Sequence, residues 1–198
     1  MRLLLDNRSD INPQSDNESA LTAASWKGHG KIVRLLLTCG ADVNAAEKYG
    51  WMALHAASLC SREKIVRLLL DNGADINAQS NHGTVLIAAS RNGLERMVRL
   101  LLARGADVNA AGKYGRTALH EASEYGHEKI VRLLLENGAE VHTKMESGDI
   151  ALEVAWDAGH DKIVQLLRDH AATKERTFIP ENRSLFVLPT QSPSSTWF

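Results

Sequence analysis

The sequence predicts an all-α solenoid in which helix-turn-helix units stack side by side and are joined by extended β-turn fingers. The main evidence is a repeat, because the string Arg-Leu-Leu-Leu begins at Arg2, Arg34, Arg67, Arg99 and Arg132, with a degenerate copy at Gln165. Successive starts lie 32 or 33 residues apart. An acidic residue follows each arginine by eight positions, and a leucine precedes the next start by thirteen. A period of this length indicates an array of small structural units.

One complete copy shows how each unit is built. Residues 118–125 form a short alanine-rich segment, Gly126-His127 interrupts it, and residues 128–137 carry isoleucine, valine and leucine at helical spacing. A unit this small has no core of its own, so its stability must come from stacking on its neighbours. The fingers at 10–21 and 75–86 are one residue shorter than the others, and we expect their tips to extend less far toward the groove. First helices are predicted near Ala20, Ala53, Val85, Ala118 and Ala151.

Two stretches carry a family resemblance. Thr117-Ala-Leu-His120-Glu-Ala122 and Trp51-Met-Ala-Leu-His55-Ala-Ala57 resemble the signature T-P-L-H-x-A of ankyrin repeats, and Gly-His and Gly-Ala-Asp-Val-Asn follow in register. The resemblance covers about residues 1–172. It implies the ankyrin solenoid, a concave groove lined by fingertips and first helices, and signature histidines that tie turns and helix starts together. Alanine or valine replaces the signature proline throughout, so the first turn of each of these helices is less preorganised.

The repeat pattern divides the chain into three segments. Residues 1–16 are predicted to form a partial N-terminal repeat, residues 17–172 five ankyrin-type repeats, and residues 173–198 a C-terminal tail outside the repeats. The uncapped start at Leu3, Leu4 and Leu5 is typical of a fragment of a longer array, or of an edge that packs on another surface. The aromatic residues of the tail leave three possibilities open: a cover for the last repeat, a partner-binding segment, or an unfolded tail.

Composition narrows the classes of partner and compartment. The 23 basic and 24 acidic residues leave a net charge of -1, so no overall field favours nucleic acid or an anionic membrane. The recurring arginines are expected on the outer, solvated face, and we expect neither a nucleic-acid partner nor a membrane partner. Cys39 and Cys60 fall at unrelated points of the repeat and are predicted to be free thiols. Together with the lack of an apolar leader, this predicts an intracellular protein, cytoplasmic or nuclear.

Most residues that could carry chemistry are explained by the repeat. Five of the eight histidines fall on signature positions, and the other three lie in separate repeats without ligand spacing, so we predict no metal and no cofactor. Phosphate-binding loops and nucleophile motifs are absent from the sequence. An unusual acid–base enzyme stays an alternative, because adjacent copies could bring together His120, Glu121, Glu124, Tyr125, Tyr114 and Arg91. We nevertheless predict no catalytic residue and no enzymatic activity.

Aromatic residues are the informative departure from the signature, which contains none. Five of them fall on fingertip or first-helix positions that vary in the ankyrin family, and basic residues lie beside them. The predicted binding residues are Trp26, Lys27, Lys48, Tyr49, Trp51, Arg91, Lys113, Tyr114, Arg116, Glu124, Tyr125 and Asp157. Tryptophan, tyrosine and arginine dominate binding hot spots. We therefore predict a non-catalytic module that binds a protein segment in the groove. The bound segment is expected to present acidic residues toward the first four repeats and a neutral or basic patch toward the last repeat.

A small-molecule or nucleotide site in the same groove is the alternative. Trp26 and Trp51 could stack a planar ring while Lys48 and Arg91 hold an anion, and residues 50–63 resemble repeats that sense oligoadenylate in animals. A closed pocket would favour this alternative, whereas an open groove would favour a protein segment. For both functions the two indoles are expected to face the groove and to contribute little to folding.

Overall fold

The computed structural model describes residues 19–177, and the side chains of residues 174–177 fall outside that description. The predicted partial repeat at residues 1–16 and most of the predicted tail at 173–198 also lie outside the described residues. The three-segment division of the chain therefore stays a prediction. None of the helices between residues 19 and 177 is both long enough and apolar enough to cross a membrane.

Five helix pairs make up the described part of the chain. They are α1 (Ala20–Lys27) with α2 (Gly30–Thr38), α3 (Ala53–Leu59) with α4 (Glu63–Asp71), α5 (Val85–Arg91) with α6 (Glu95–Ala103), α7 (Ala118–Glu124) with α8 (Glu128–Glu136), and α9 (Ala151–Asp157) with α10 (Asp161–Thr177). Short 3₁₀ turns occur at Lys48–Gly50 and Lys113–Gly115. Residues 19–177 contain one isolated bridge, between Ser80 and Gly83, and no strand. The predicted all-α repeat class and the five helix starts are confirmed.

Side-chain caps start several first helices although the signature proline is absent. The Ser19 hydroxyl accepts a hydrogen bond from the Thr22 backbone N–H at 3.1 Å, at the start of α1. The Thr84 hydroxyl accepts one from the backbone N–H of Ile87 at 3.4 Å, at the start of α5. Such caps satisfy backbone donors that have no partner within the helix.

The core is one continuous layer between the first and second helices. Each first helix packs on the first helix of the next pair, from α1 through α9. Ala57, Ala89 and Ala122 are fully buried in these contacts, so their small side chains allow close approach. Leu69 and Leu101, among other residues of the second helices, are fully buried behind them. Stacking places the fingers and first helices of all repeats along one side of the molecule.

Asparagine side chains hold successive fingers in register. The Oδ1 atoms of Asn44, Asn77 and Asn109 accept hydrogen bonds from the backbone N–H of the next finger, at 2.8–2.9 Å. The donors are Asp75, Asp107 and Glu140. These bonds join residues about one repeat apart, so they set the spacing of the fingertips that carry the candidate site.

Histidines join two of the repeats to the repeats before them. Nε2 of His127 donates to the backbone carbonyl of Arg91 at 3.0 Å, and Nε2 of His160 donates to that of Glu124 at the same distance. The His160 ring lies directly on Gly126, where an added Cβ would be 2.6 Å from its Cε1 atom. The implied role of these histidines in tying turns together is therefore seen, and the tie runs between neighbouring repeats.

Candidate functional site

Two fingers carry the same Lys-Tyr-Gly turn, two repeats apart. Tyr49 and Tyr114 adopt the left-handed backbone conformation, with φ of 66° and 61°, and their side chains are 63% and 56% exposed. Tyrosine in this region costs roughly 1–2 kcal/mol per residue. The backbone of the next finger holds each turn, because Asn81 donates to the Tyr49 carbonyl and Glu146 to that of Tyr114, both at 2.9 Å.

A lysine ammonium lies over each of these tyrosine rings. The Nζ atom of Lys48 is 5.0 Å from the centre of the Tyr49 ring, and that of Lys113 is 4.7 Å from the Tyr114 ring. Such cation–π pairs at exposed sites contribute about 0.5–1 kcal/mol. Neither lysine forms an ion pair with the carboxylates of the described residues. Both positive charges are therefore presented toward solvent at the fingertips.

A cavity of about 460 Å³ opens between the two Lys-Tyr-Gly turns. Three fingers and the first helices α5 and α7 line it, through Tyr49, Asn81, His82, Ile87, Arg91, Gly112, Lys113, Tyr114, Arg116 and Glu121. A smaller depression of about 270 Å³ adjoins it and shares Tyr49 and His82; its other lining residues are Glu47, Lys48 and Trp51. Seven of the predicted binding residues thus line two adjoining depressions.

An ion cluster centred on Glu121 forms part of the cavity wall. The Glu121 side chain is 1% exposed, and its carboxylate accepts hydrogen bonds from Arg91 Nε at 2.8 Å and from Arg116 Nε at 2.6 Å. Burial alone would raise the pKa of Glu121, but the hydrogen bonds and charges of the two arginines outweigh it and lower the pKa. The carboxylate is therefore ionised at neutral pH and neutralises one of the two positive charges, and Glu124, which pairs with Arg116, supplies the second negative charge.

The groove is less acidic at its C-terminal end than predicted. Glu124 was expected to contribute negative charge there, but its carboxylate pairs with Arg116. Asp157 lies exposed at the last position of α9. The correction follows from the fold within one repeat, since the turn that leads into α7 places Arg116 beside the last residue of that helix. Of the two acidic residues predicted there, Glu124 is paired and Asp157 forms no ion pair with the described residues.

The groups considered for acid–base chemistry are already engaged. His120 is buried, and its Nδ1 atom accepts a hydrogen bond from the backbone N–H of Thr117 at 3.2 Å. Burial lowers the pKa of His120 below its usual value. The Glu121 carboxylate accepts hydrogen bonds from two arginines, and its contact with Arg91 joins two repeats.

Trp51 contributes to packing, contrary to the expectation that it would be dispensable for folding. Its indole stacks on His55 at 5.5 Å between ring centres, and it meets His82 edge-on at 6.1 Å. His55 is 1% exposed, and its Nε2 atom donates to the Gly83 carbonyl at 3.4 Å. Trp51 is half-buried. Part of its indole packs at the junction between two repeats, and other atoms line the smaller depression.

The remaining predicted residues lie outside the two depressions. Trp26, at 47% exposure, and Lys27 lie at the end of α1. Tyr125 is 51% exposed and stacks on His127 at 6.5 Å between ring centres. These positions extend the surface without joining the cavity. Sequence analysis missed the lining residues Asn81, His82 and Ile87, although the short finger that carries the first two was visible as a length difference.

The titration of His55 should make folding stability depend on pH. Burial lowers the pKa of His55 to about 4, from an ordinary value of 6.5. Below pH 6.5 the unfolded chain takes up a proton that the folded chain excludes, so stability is lost as pH falls. We expect the free energy of unfolding to drop by about 2 kcal/mol between pH 7 and pH 5 through this group. Urea unfolding at both pH values measures it.

A matched pair of variants isolates the contribution of His55. His55→Gln should show a clearly smaller drop between pH 7 and pH 5, because the titrating group is gone. His142→Gln, at an exposed position on a finger, should leave the drop unchanged. An equal drop in all three proteins would show that His55 is not responsible.

Comparison with known proteins agrees with the repeat architecture of the structure. A family model described as ankyrin repeats in three copies matches residues 1–80 and, in a second match, residues 79–145. The two matches together cover well over half of the chain. No curated protein matches the chain significantly. Within residues 19–177, no group of three or more histidine, cysteine, aspartate or glutamate side chains is arranged to hold a metal ion.

Proposed function

The chain belongs to the ankyrin-repeat family, whose members are generally protein-interaction modules and typically not enzymes, and on this premise we propose that its groove binds a segment of a protein partner. The binding surface is the aromatic and basic patch formed by the fingers and first helices. The partner segment carries acidic residues. No catalysis is involved, and no cofactor or metal is required.

The observation that carries this proposal is the convergence of seven predicted residues on two adjoining depressions. They come from separate repeats and include two tyrosines, one tryptophan, two arginines and two lysines. These residue types supply most of the binding energy in known interfaces, because they combine large apolar area with polar or charged groups. Their convergence supports an interaction surface more strongly than a scattered distribution would.

The exposure of the site favours a polypeptide over a small ligand. Small-molecule sites bury most of the ligand surface, whereas Tyr49 and Tyr114 at the cavity are more than half exposed. Trp51 is stacked on His55, which leaves less of its indole free to stack a nucleotide base. An open depression between fingertips suits a chain that passes along the groove and inserts individual side chains.

The balance of charge favours an acidic partner. Arg91 and Arg116 are paired with Glu121 and Glu124, so this cluster adds little net charge. Lys48 and Lys113 have no carboxylate partner among the described residues, and they stand at the rim of the depressions. Acidic side chains on the partner would be attracted to these two positions, which speeds association and selects against basic partners.

Replacing the exposed tyrosines tests the proposal. We expect Tyr49→Ala and Tyr114→Ala each to weaken binding by ~2 kcal/mol, or about thirtyfold in Kd, if they act as hot spots. Both tyrosines are exposed, so the loss of stability should not exceed the ~0.5–1 kcal/mol of the cation–π pair that each variant removes. Affinity purification with the wild type and the double variant identifies a groove-dependent partner, and calorimetric titration with that partner gives Kd.

Two further variants control this test. Arg34→Ala alters an exposed residue of the outer helix α2 and should bind like the wild type. Leu69→Ala removes a fully buried side chain and should cost ~2–5 kcal/mol of folding stability, while its folded fraction still binds. If the folded tyrosine variants bind the partner as tightly as the wild type, the groove is not the interaction surface.

A further inference from the structure

The turns Lys48–Gly50 and Lys113–Gly115 form two equivalent, preorganised elements, which we call the clamps. Each has a left-handed tyrosine, a lysine over its ring, and a backbone hydrogen bond from the next finger to the tyrosine carbonyl. The next finger also approaches each glycine closely. A Cβ at Gly50 would be 2.8 Å from the Gln79 carbonyl oxygen, and one at Gly115 would be 3.2 Å from Glu146 N.

This rigidity matters for binding because an ordered contact surface loses little entropy when a ligand arrives. Left-handed tyrosine is costly and clusters at functional sites when the surroundings enforce it. Here the same costly conformation occurs twice in the described chain with the same partners. The repetition points to one recognition element used at two places along the groove.

The finger between the clamps is one residue shorter than the two fingers that carry the clamps. It closes in a tight turn, with Ser80 N donating to the Gly83 carbonyl at 3.1 Å and Gly83 N donating to that of Ser80 at 2.9 Å. Asn81 and His82 at its tip line the cavity that separates Tyr49 from Tyr114. A segment lying across both clamps would therefore pass over the cavity and the short finger.

The distance between the clamps sets the spacing of the residues that contact them. The clamps precede α3 and α7, and α5 packs between these helices. Packed helices lie about 8–10 Å apart, so the clamps are separated by roughly 16–20 Å. An extended chain rises about 3.3 Å per residue, and residues an even number apart point to the same side. Six positions span ~20 Å and keep both side chains toward the groove.

We propose that the clamps recognise an extended segment bearing two acidic side chains six positions apart, one bound at Lys48 beside Tyr49 and the other at Lys113 beside Tyr114. A residue between them lies over the cavity. This inference rests on the proposed function and specifies the ligand of that same groove. Its chemistry is a pair of carboxylates on one face of an extended peptide.

A displayed library of random dodecamer peptides tests the proposal on the chain of 198 residues. Peptides are selected on the wild type and depleted on the Tyr49→Ala/Tyr114→Ala double variant, so that groove-dependent binders remain. We expect these binders to be enriched in aspartate or glutamate pairs six positions apart. Lys48→Ala and Lys113→Ala should each weaken the binding of the selected peptides by up to about fivefold, the upper limit for one exposed charge pair. Lys64→Ala, on the outer helix α4, is the matched control.

A register shift separates this inference from simple charge attraction. Moving the second acid of a selected synthetic peptide by one position, to a spacing of five, directs it away from the groove. Binding should then fall as much as it does when that acid is replaced by alanine. Groove-dependent binders without the six-residue spacing, or unaffected by the shift, would overturn the clamp inference but leave the proposed function standing. Failure to select any groove-dependent binder would count against both.

Discussion

Glu121→Ala is expected to lower the free energy of unfolding by about 3 kcal/mol, at the lower end of the 3–5 kcal/mol typical of breaking a buried ion pair. The carboxylate is 1% exposed and is shared by Arg91 and Arg116. Without it, two guanidinium groups would face each other in a partly buried site. Their side chains are 37% and 20% exposed, which lets water relieve part of the penalty. Urea unfolding of the variant measures the change.

The choice of alanine isolates the electrostatic effect. Alanine is the native residue at the equivalent places of three other repeats, Ala23, Ala56 and Ala88, so the helix accepts it. Glu95→Ala removes the carboxylate of two exposed pairs, with Arg99 and Lys129, each of which contributes ~0.2–1 kcal/mol. In an Arg91→Ala background, Glu121→Ala should cost less than in the wild type, because fewer charges are left unpaired. Equal costs in both backgrounds would mean that the cluster is not coupled.

Gly126→Ala is expected to have the second large effect, a loss of about 2–4 kcal/mol of folding stability. One part comes from the backbone, since Gly126 has φ of 74° and an L-residue pays roughly 1–2 kcal/mol there. The other part comes from the next repeat, because the new methyl group would be 2.6 Å from Cε1 of His160. The ring must move, and its hydrogen bond to the Glu124 carbonyl would be lost.

Gly138→Ala is the matched control for the backbone part. Gly138 has φ of 88°, and an added Cβ meets nothing within 4 Å, so this variant should lose only about 1–2 kcal/mol. In a His160→Ala background the cost of Gly126→Ala should fall to the same value. If Gly126→Ala and Gly138→Ala cost equally in the wild-type background, contact between repeats does not constrain this position.

The repeat architecture could be predicted because its signals are local. Leucine at helical spacing in residues 128–135, glycine after most helices and a recurring Asp-x-Asn finger each describe a few consecutive residues, and their period assigns every unit the same fold. The helices of the structure begin where this pattern placed them. The predicted binding residues on the fingertips were chosen by the same logic, as departures from the period.

Tertiary packing decided what these side chains contact, because their partners lie beyond the reach of a local sequence pattern. Glu121 meets Arg91 and Trp51 meets His82 about one repeat away, whereas Arg116 neutralises Glu124 within its own repeat. Because of these contacts, Glu124, which was predicted to make the end of the groove acidic, is paired. The Trp51 indole, which was predicted to be dispensable for folding, is packed against its neighbours. The sequence by itself thus determined the repeat and its exposed aromatic residues. The cavity, its ion cluster and its charge balance arise only when neighbouring repeats are brought into contact, since no local pattern encodes distances between repeats.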